Sequence, residues 1–412
     1  MRARVLQVGA ARSRRGVALV VALVLALAMG ALLAGCGGGS SSSLAANQMR
    51  MTVGINPVVE AVDPGGSVRD QPYVSVMVCD ASNRCVKVPY VIVDSGSVGL
   101  RLRAKTLAGL HLQPLAFASD AQLADCTSFL TGYMWGSVEQ ATVELGGEPP
   151  IQLPIQVYGS GSPAPTKVPT ICSELGTNGS SLLGFNANGI LGIQGLEKIG
   201  DLYYSCLGST CTPERTASVP AAEQIVNPIS KFKDSDDNGV ILTLPSVPAN
   251  GLPGAQGTLT FGLDTRADNS TTGFVPLATD GNFSMNVVVQ GVAYPGSTID
   301  SGSNGYFGPF NVPYDPATTS FDPTTPQAVP ITLENQTGTL PDVSVSTSIE
   351  IANSLTLADP GNYALDDYGA YAPPANQVLL GLPYFFGRSV AFAMSGKTSG
   401  LGTGPIIGVL NP

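Results

Sequence analysis

Val91-Ile92-Val93-Asp94-Ser95-Gly96-Ser97-Val98-Gly99-Leu100 is matched later in the chain by Ser297-Thr298-Ile299-Asp300-Ser301-Gly302-Ser303-Asn304-Gly305-Tyr306. In each stretch a β-branched or apolar run ends in Asp-Ser-Gly-Ser. The run reads as a hydrophobic strand that carries an aspartate to its end, where Ser-Gly turns the chain. One such site is ordinary turn chemistry. Two in the same local context, 206 residues apart, point to a duplicated half-molecule whose two aspartates can meet at the junction.

The composition fits that reading. Of 412 residues only 12% are charged, while Gly (49) and Pro (32) are abundant and long helical patterns are rare. This mix predicts an all-β protein with many turns. A net charge of -10 and a pI near 4.6 argue against a nucleic-acid partner, which needs a basic surface.

The N-terminus reads as a secretory signal over residues 1–35. Arg2, Arg4, Arg12, Arg14 and Arg15 form a positive region, and residues 17–33 are apolar and short for a membrane span. Leu33-Ala34-Gly35-Cys36 resembles the lipobox of bacterial lipoproteins. That resemblance implies cleavage before Cys36 and lipidation there. Gly37 after the cysteine implies sorting to the outer membrane. Residues 36–50 are expected to hold the lipidated cysteine and a flexible Gly/Ser-rich tether. The other six cysteines, Cys79, Cys85, Cys126, Cys172, Cys206 and Cys211, are an even set in an exported chain and read as three disulfides. Cys79–Cys85 and Cys206–Cys211 are natural short loops, which leaves Cys126–Cys172.

Strands are expected over 51–55, 73–79, 86–93, 100–103, 151–158, 240–244, 258–261, 283–290, 342–351, 389–393 and 406–409. Residues 129–145 read as two strands about a turn. Asp234, Asp236 and Asn238 before Gly239 have the spacing of the start of an EF-hand loop, but its twelfth position is Pro245 rather than glutamate. An acidic turn is the preferred reading. No zinc site is expected, since there is no Cys/His cluster.

Each half carries a second mark. Asp94-Ser95-Gly96 is followed by Ile190-Leu191-Gly192, and Asp300-Ser301-Gly302 by Leu379-Leu380-Gly381. The pair resembles the signature of the pepsin-like aspartic peptidases. There each lobe contributes an Asp-Thr/Ser-Gly turn braced by an apolar-apolar-Gly strand. Residues 300–309, ending in Gly308-Pro309, and residues 188–193 and 378–390 are also similar to that family. The resemblance runs in order from about residue 50 to the end.

The resemblance implies a bilobal all-β fold of two pseudo-symmetric barrel lobes, residues 51–245 with Asp94 and 246–412 with Asp300. It implies catalysis by Asp94 and Asp300, with Ser95, Gly96, Ser97, Ser301, Gly302 and Ser303 supporting the dyad. It implies no cofactor, a monomer, and a polypeptide substrate between the lobes. The chemistry suits the residue types. Two adjacent carboxyls hold one proton between them, so one member can deprotonate a water while the other donates to the scissile carbonyl. His111, the only histidine, has no role in this scheme. A serine hydrolase is disfavoured because no Gly-x-Ser-x-Gly elbow is present.

Two departures stand out. The flap tyrosine of the family has no clear counterpart, and Tyr133 is the nearest candidate. The position seven residues after Asp94, often tryptophan in the family, is Arg101, and two readings of Trp135 stay open: it fills part of that space, or it is core. Two readings of function therefore stay open: an envelope-anchored aspartic endopeptidase, or an inactive lipoprotein of the same fold with a binding or structural role.

Overall fold

The computed structural model describes residues 44–410, apart from 118–120, 131, 201, 234–235, 337–342, 358–360 and 372–375. The signal, Cys36 and most of the tether lie outside the described residues. Strands make up 46% of the structure and helices 10%, so the chain is all-β. Among the described residues the α-helices are single turns such as Pro57–Glu60 and Leu182–Phe185. None is long and apolar enough to cross a membrane.

Strand Cys85–Asp94 ends in a fully buried run, Val91 to Val93. A strand buried on both faces tolerates such a continuous apolar sequence. It pairs in parallel with Gly189–Ile193, Leu191 opposite Val93 and Gly192 opposite Asp94. After the turn, strand Val98–Arg103 runs antiparallel along the other edge of Gly189–Ile193, Leu100 opposite Leu191. The second half repeats the arrangement in shorter form. Val292–Ile299 pairs in parallel with Leu379–Leu380, and Tyr306–Phe307 pairs antiparallel with it on the other side. Each Asp-Ser-Gly turn thus tops two strands that flank an apolar-apolar-Gly strand.

Eighteen of the described strands join through hydrogen bonds into one sheet, seven into a second and two into a small hairpin. The large sheet draws on both ends of the chain. Gln48–Gly54 pairs with Gly254–Phe261, which pairs with Gly239–Thr243. Ser389–Ala393 then links Gly239–Thr243 to Ile406–Leu410. The main apolar cluster runs from Met49 to Val409 and includes Val93 and Ile299, which lead into the two turns.

The tether is shorter than its sequence implies. Strand Gln48–Gly54 begins within residues 36–50. Asn47 is fully buried, and its amide donates to the Phe261 carbonyl at 3.0 Å. The turn inside 129–145 lies at its start, beside Leu130, and not among the polar residues 137–140. Gly132–Glu144 is one 13-residue strand whose partner arm is Ala121–Phe129. The polar stretch that reads as a turn stays in the sheet because its buried groups satisfy one another. Ser137 Oγ donates to Glu139 at 2.7 Å, and Ser137 and Val138 pair with Val157 and Gln156.

Three disulfides, Cys79–Cys85, Cys126–Cys172 and Cys206–Cys211, have the expected pairing. The acidic turn is structural. Asp236 is buried and bound by Arg266 at 2.5 Å, and the Asn238 amide bonds both backbone groups of Leu263. Asp234 lies outside the described residues.

Candidate active site

The two Asp-Ser-Gly turns meet. Ser95 N–H donates to Ser301 Oγ at 3.0 Å, and Ser301 N–H donates to Ser95 Oγ at 2.9 Å. Each hydroxyl then donates across to the strand of the opposite turn, Ser95 Oγ to Ile299 O at 3.2 Å and Ser301 Oγ to Val93 O at 2.8 Å. Both serines are buried, so all four bonds are shielded from water. A hydroxyl that both accepts and donates is what this lattice requires at each position, and serine supplies it.

Within each turn the aspartate is held the same way. Gly96 N–H donates to Asp94 Oδ1 at 2.9 Å and Ser97 Oγ to Asp94 Oδ2 at 2.5 Å. Gly302 N–H donates to Asp300 Oδ1 at 2.9 Å and Ser303 Oγ to Asp300 Oδ2 at 2.7 Å. The outer serines are fixed from beneath, by Gln194 N–H on Ser97 O at 2.9 Å and Leu382 N–H on Ser303 O at 2.7 Å. This bracing explains the apolar-apolar-Gly strands. A Cβ on Gly192 would sit 2.6 Å from Val98 N, and one on Gly381 2.8 Å from Gly305 N.

Gly96 and Gly302 are needed for close approach. A Cβ on Gly96 would lie 2.7 Å from Asp300 Cγ, and one on Gly302 2.7 Å from Asp94 Cγ. Asp94 is 6% exposed and Asp300 9%. Burial, then the charge of Asp300, pushes the Asp94 carboxyl well above the usual carboxylate range, and a hydrogen bond between the two side chains acts in the same direction. Ser97 and Gly96 oppose the shift by stabilising the carboxylate. The arrangement retains a proton well above the pH at which an isolated aspartic acid releases it. A carboxyl acid and a carboxylate base can then stand side by side.

The remaining sequence candidates fall elsewhere. Tyr133 is buried with Trp135, Cys126, Cys172 and Tyr204 on the arm of the hairpin. The chain turns between Phe129 and Gly132, and Leu130, 77% exposed, is at that tip. Likeness to the peptidase flap points to a tyrosine and passes over this apolar tip, although Phe129-Leu130 beside Gly132 is readable in the sequence. Trp135 is core, its Nε1–H donating to Pro165 O at 2.8 Å and its ring edge-on to Tyr204. Among the described residues no cluster of His, Cys, Asp and Glu is arranged to hold a metal ion.

Fold and site together define a class: an all-β chain in which two Asp-Ser-Gly turns, each braced by its own apolar-apolar-Gly strand, interlock around a pair of carboxyls. The chain belongs to the family described as protein of unknown function (DUF3443), whose model matches residues 43–408. No curated protein matches it.

Proposed function

We propose that this protein is an aspartic endopeptidase of the pepsin type, with residues 51–245 and 246–412 as its two lobes and Asp94 and Asp300 as its catalytic dyad. The observation that carries the proposal is the reciprocal bonding of Ser95 and Ser301, which sets two equivalent carboxyls against each other. A pair of unrelated turns has no reason to exchange four hydrogen bonds in matched pairs.

In this reading a water sits between the carboxyls. The ionised member takes its proton as the water oxygen attacks the scissile carbonyl carbon, and the protonated member donates to the carbonyl oxygen. The resulting tetrahedral diol collapses as the amide nitrogen gains a proton and the C–N bond breaks. Water and peptide become a carboxylic acid and an amine, and the dyad is restored. The raised pKa of Asp94 supplies the acid member over a broad pH range. The substrate is an extended polypeptide bound partly through its backbone.

The proposal includes location. Cys36 carries a lipid and holds the protein at the outer membrane of the cell envelope. A radiolabelled fatty acid should enter the full-length protein and fail to enter Cys36→Ser. Activity is tested by incubating the full-length protein with a denatured protein between pH 3 and 7 and sequencing the products. Discrete internal cleavages support the reading. A folded protein that produces none at any pH removes it and leaves a binding role for the same fold.

A further inference from the structure

Among the described residues Arg101 is the largest fully buried side chain, with 0% exposure. It stands on Val98–Arg103, the strand that leaves the first Asp-Ser-Gly turn. Its guanidinium reaches in two directions. Nη1–H donates to Val98 O at 2.7 Å, back toward the turn. Nε–H donates to Thr127 Oγ1 at 2.9 Å, on the hairpin arm Ala121–Phe129.

Thr127 Oγ1 donates in turn to Asp125 Oδ2 at 2.6 Å, and that oxygen lies 4.0 Å from Arg101 Nη2. Asp125 also has a fully buried side chain. Gln156, which pairs with Arg101 in the sheet, closes the ring by donating to Asp125 O at 2.9 Å. Asp125 and Thr127, two apart on one strand, present the same face to the arginine.

A buried ion pair is a poor device for stability, because desolvation offsets much of the attraction and apolar residues of similar size serve as well or better. What it supplies is one defined geometry. Arginine's planar fork fixes both partners at once, which a flexible ammonium cannot do. Here the partners are the dyad strand and the hairpin whose exposed tip is Leu130.

We infer that Arg101 is a positioning residue: it locks the hairpin 121–144 in register with the strand leaving Asp94, so that the tip is held in place before a substrate arrives. The link to catalysis rests on the peptidase reading above. The lock itself does not.

The test uses the full-length protein and hydrogen exchange read peptide by peptide. Arg101→Met/Asp125→Asn removes both charges of this pair together, so neither is left facing the other's vacancy. Thr127→Val removes only the bridging hydroxyl, and Thr127→Ser restores it. The expected result is exchange about 10- to 100-fold faster over 127–133 in the double variant and in Thr127→Val, the equivalent of about one hydrogen bond to a charged group. Thr127→Ser and the distant hairpin 327–351 should exchange as in wild type. On a cleavable substrate, kcat should fall about tenfold with KM little changed, as expected when a group near the reaction is misplaced while substrate binding itself is intact. Unchanged exchange over 127–133 in a folded Thr127→Val overturns the inference, as does an equal rise over 327–351. If wild type cleaves nothing, the peptidase reading fails, and the exchange result still decides the lock.

Discussion

Replacing Ser301 by alanine tests the contact between the two turns without any appeal to activity. Ser301 is fully buried, accepts from Ser95 N–H at 3.0 Å and donates to Val93 O at 2.8 Å. Alanine leaves an amide and a carbonyl in a dry interior with no hydroxyl to meet them. Each stranded group costs about 1–3 kcal/mol. A carbonyl with a second lone pair tolerates the loss better than an amide. The expected destabilisation of Ser301→Ala is therefore about 2–4 kcal/mol. Ser95→Ala should match it, because Ser95 makes the mirrored bonds. Urea unfolding followed by the fluorescence of Trp135, the only tryptophan, reads the change as a lower midpoint at constant slope. The double variant should depart from the sum by about 0.5 kcal/mol or more, because the four bonds belong to one network across the junction of the turns. A loss below about 0.5 kcal/mol in either single variant would refute the reasoning, since that is the size of an ordinary surface substitution.

Other outcomes follow from the same geometry. Gly302→Ala should lower kcat/KM on a cleaved substrate by about 100-fold while the fold persists, because the new Cβ sits 2.7 Å from Asp94 Cγ and displaces the carboxyl. The native state holds the Asp94 proton that the unfolded chain releases near pH 4, so the stability from this group is complete below that pH and is lost as pH rises through the raised folded pKa. The urea midpoint of wild type should accordingly fall more steeply from pH 4 to 8 than that of Asp94→Asn. Asp367, pushed up to about 6 by burial and then by the charge of Asp366, has the same sign, so Asp367→Asn should flatten the stretch between about pH 4 and 6. Replacing Cys126 and Cys172 together by alanine opens a loop of sequence separation 46 and should cost about 4 kcal/mol by chain entropy, read as the shift in unfolding free energy.

The paired Asp-Ser-Gly motif is unusually legible in the sequence because its geometry needs small residues at fixed spacing. Gly192 and Gly381 have no room for a Cβ, and Ser95 and Ser301 must accept and donate at once, so neither set can drift far. Apolar strands such as Val91 to Val93 are equally plain. The hairpin arm Ala121–Phe129 and the strand Leu202–Leu207 are not, because neither alternates apolar and polar residues: Asp125 and Thr127 are buried beside Cys126 in the first, and Tyr203 and Tyr204 are buried next to each other in the second. Arg101 illustrates the same limit. Nothing within Leu100-Arg101-Leu102-Arg103 marks Arg101 as buried, and the arrival of Asp125 and Thr127 from a distant strand helps to make that burial tolerable. Tyr133 shows the converse, since a residue chosen by analogy with a flap turns out to fill a cluster around Cys126–Cys172.

The central claim is that Asp94 and Asp300 act together on a peptide bond. The most direct measurement is cleavage of a denatured protein by the full-length chain from pH 3 to 7, run beside Asp94→Asn and Asp300→Asn. Wild type should cleave at acidic pH, and each variant, folded by circular dichroism, should lose at least about 1,000-fold of the rate, since neither carboxyl can serve alone as both acid and base. Cleavage that survives in either variant, or a folded wild type with none at any pH, would contradict the claim.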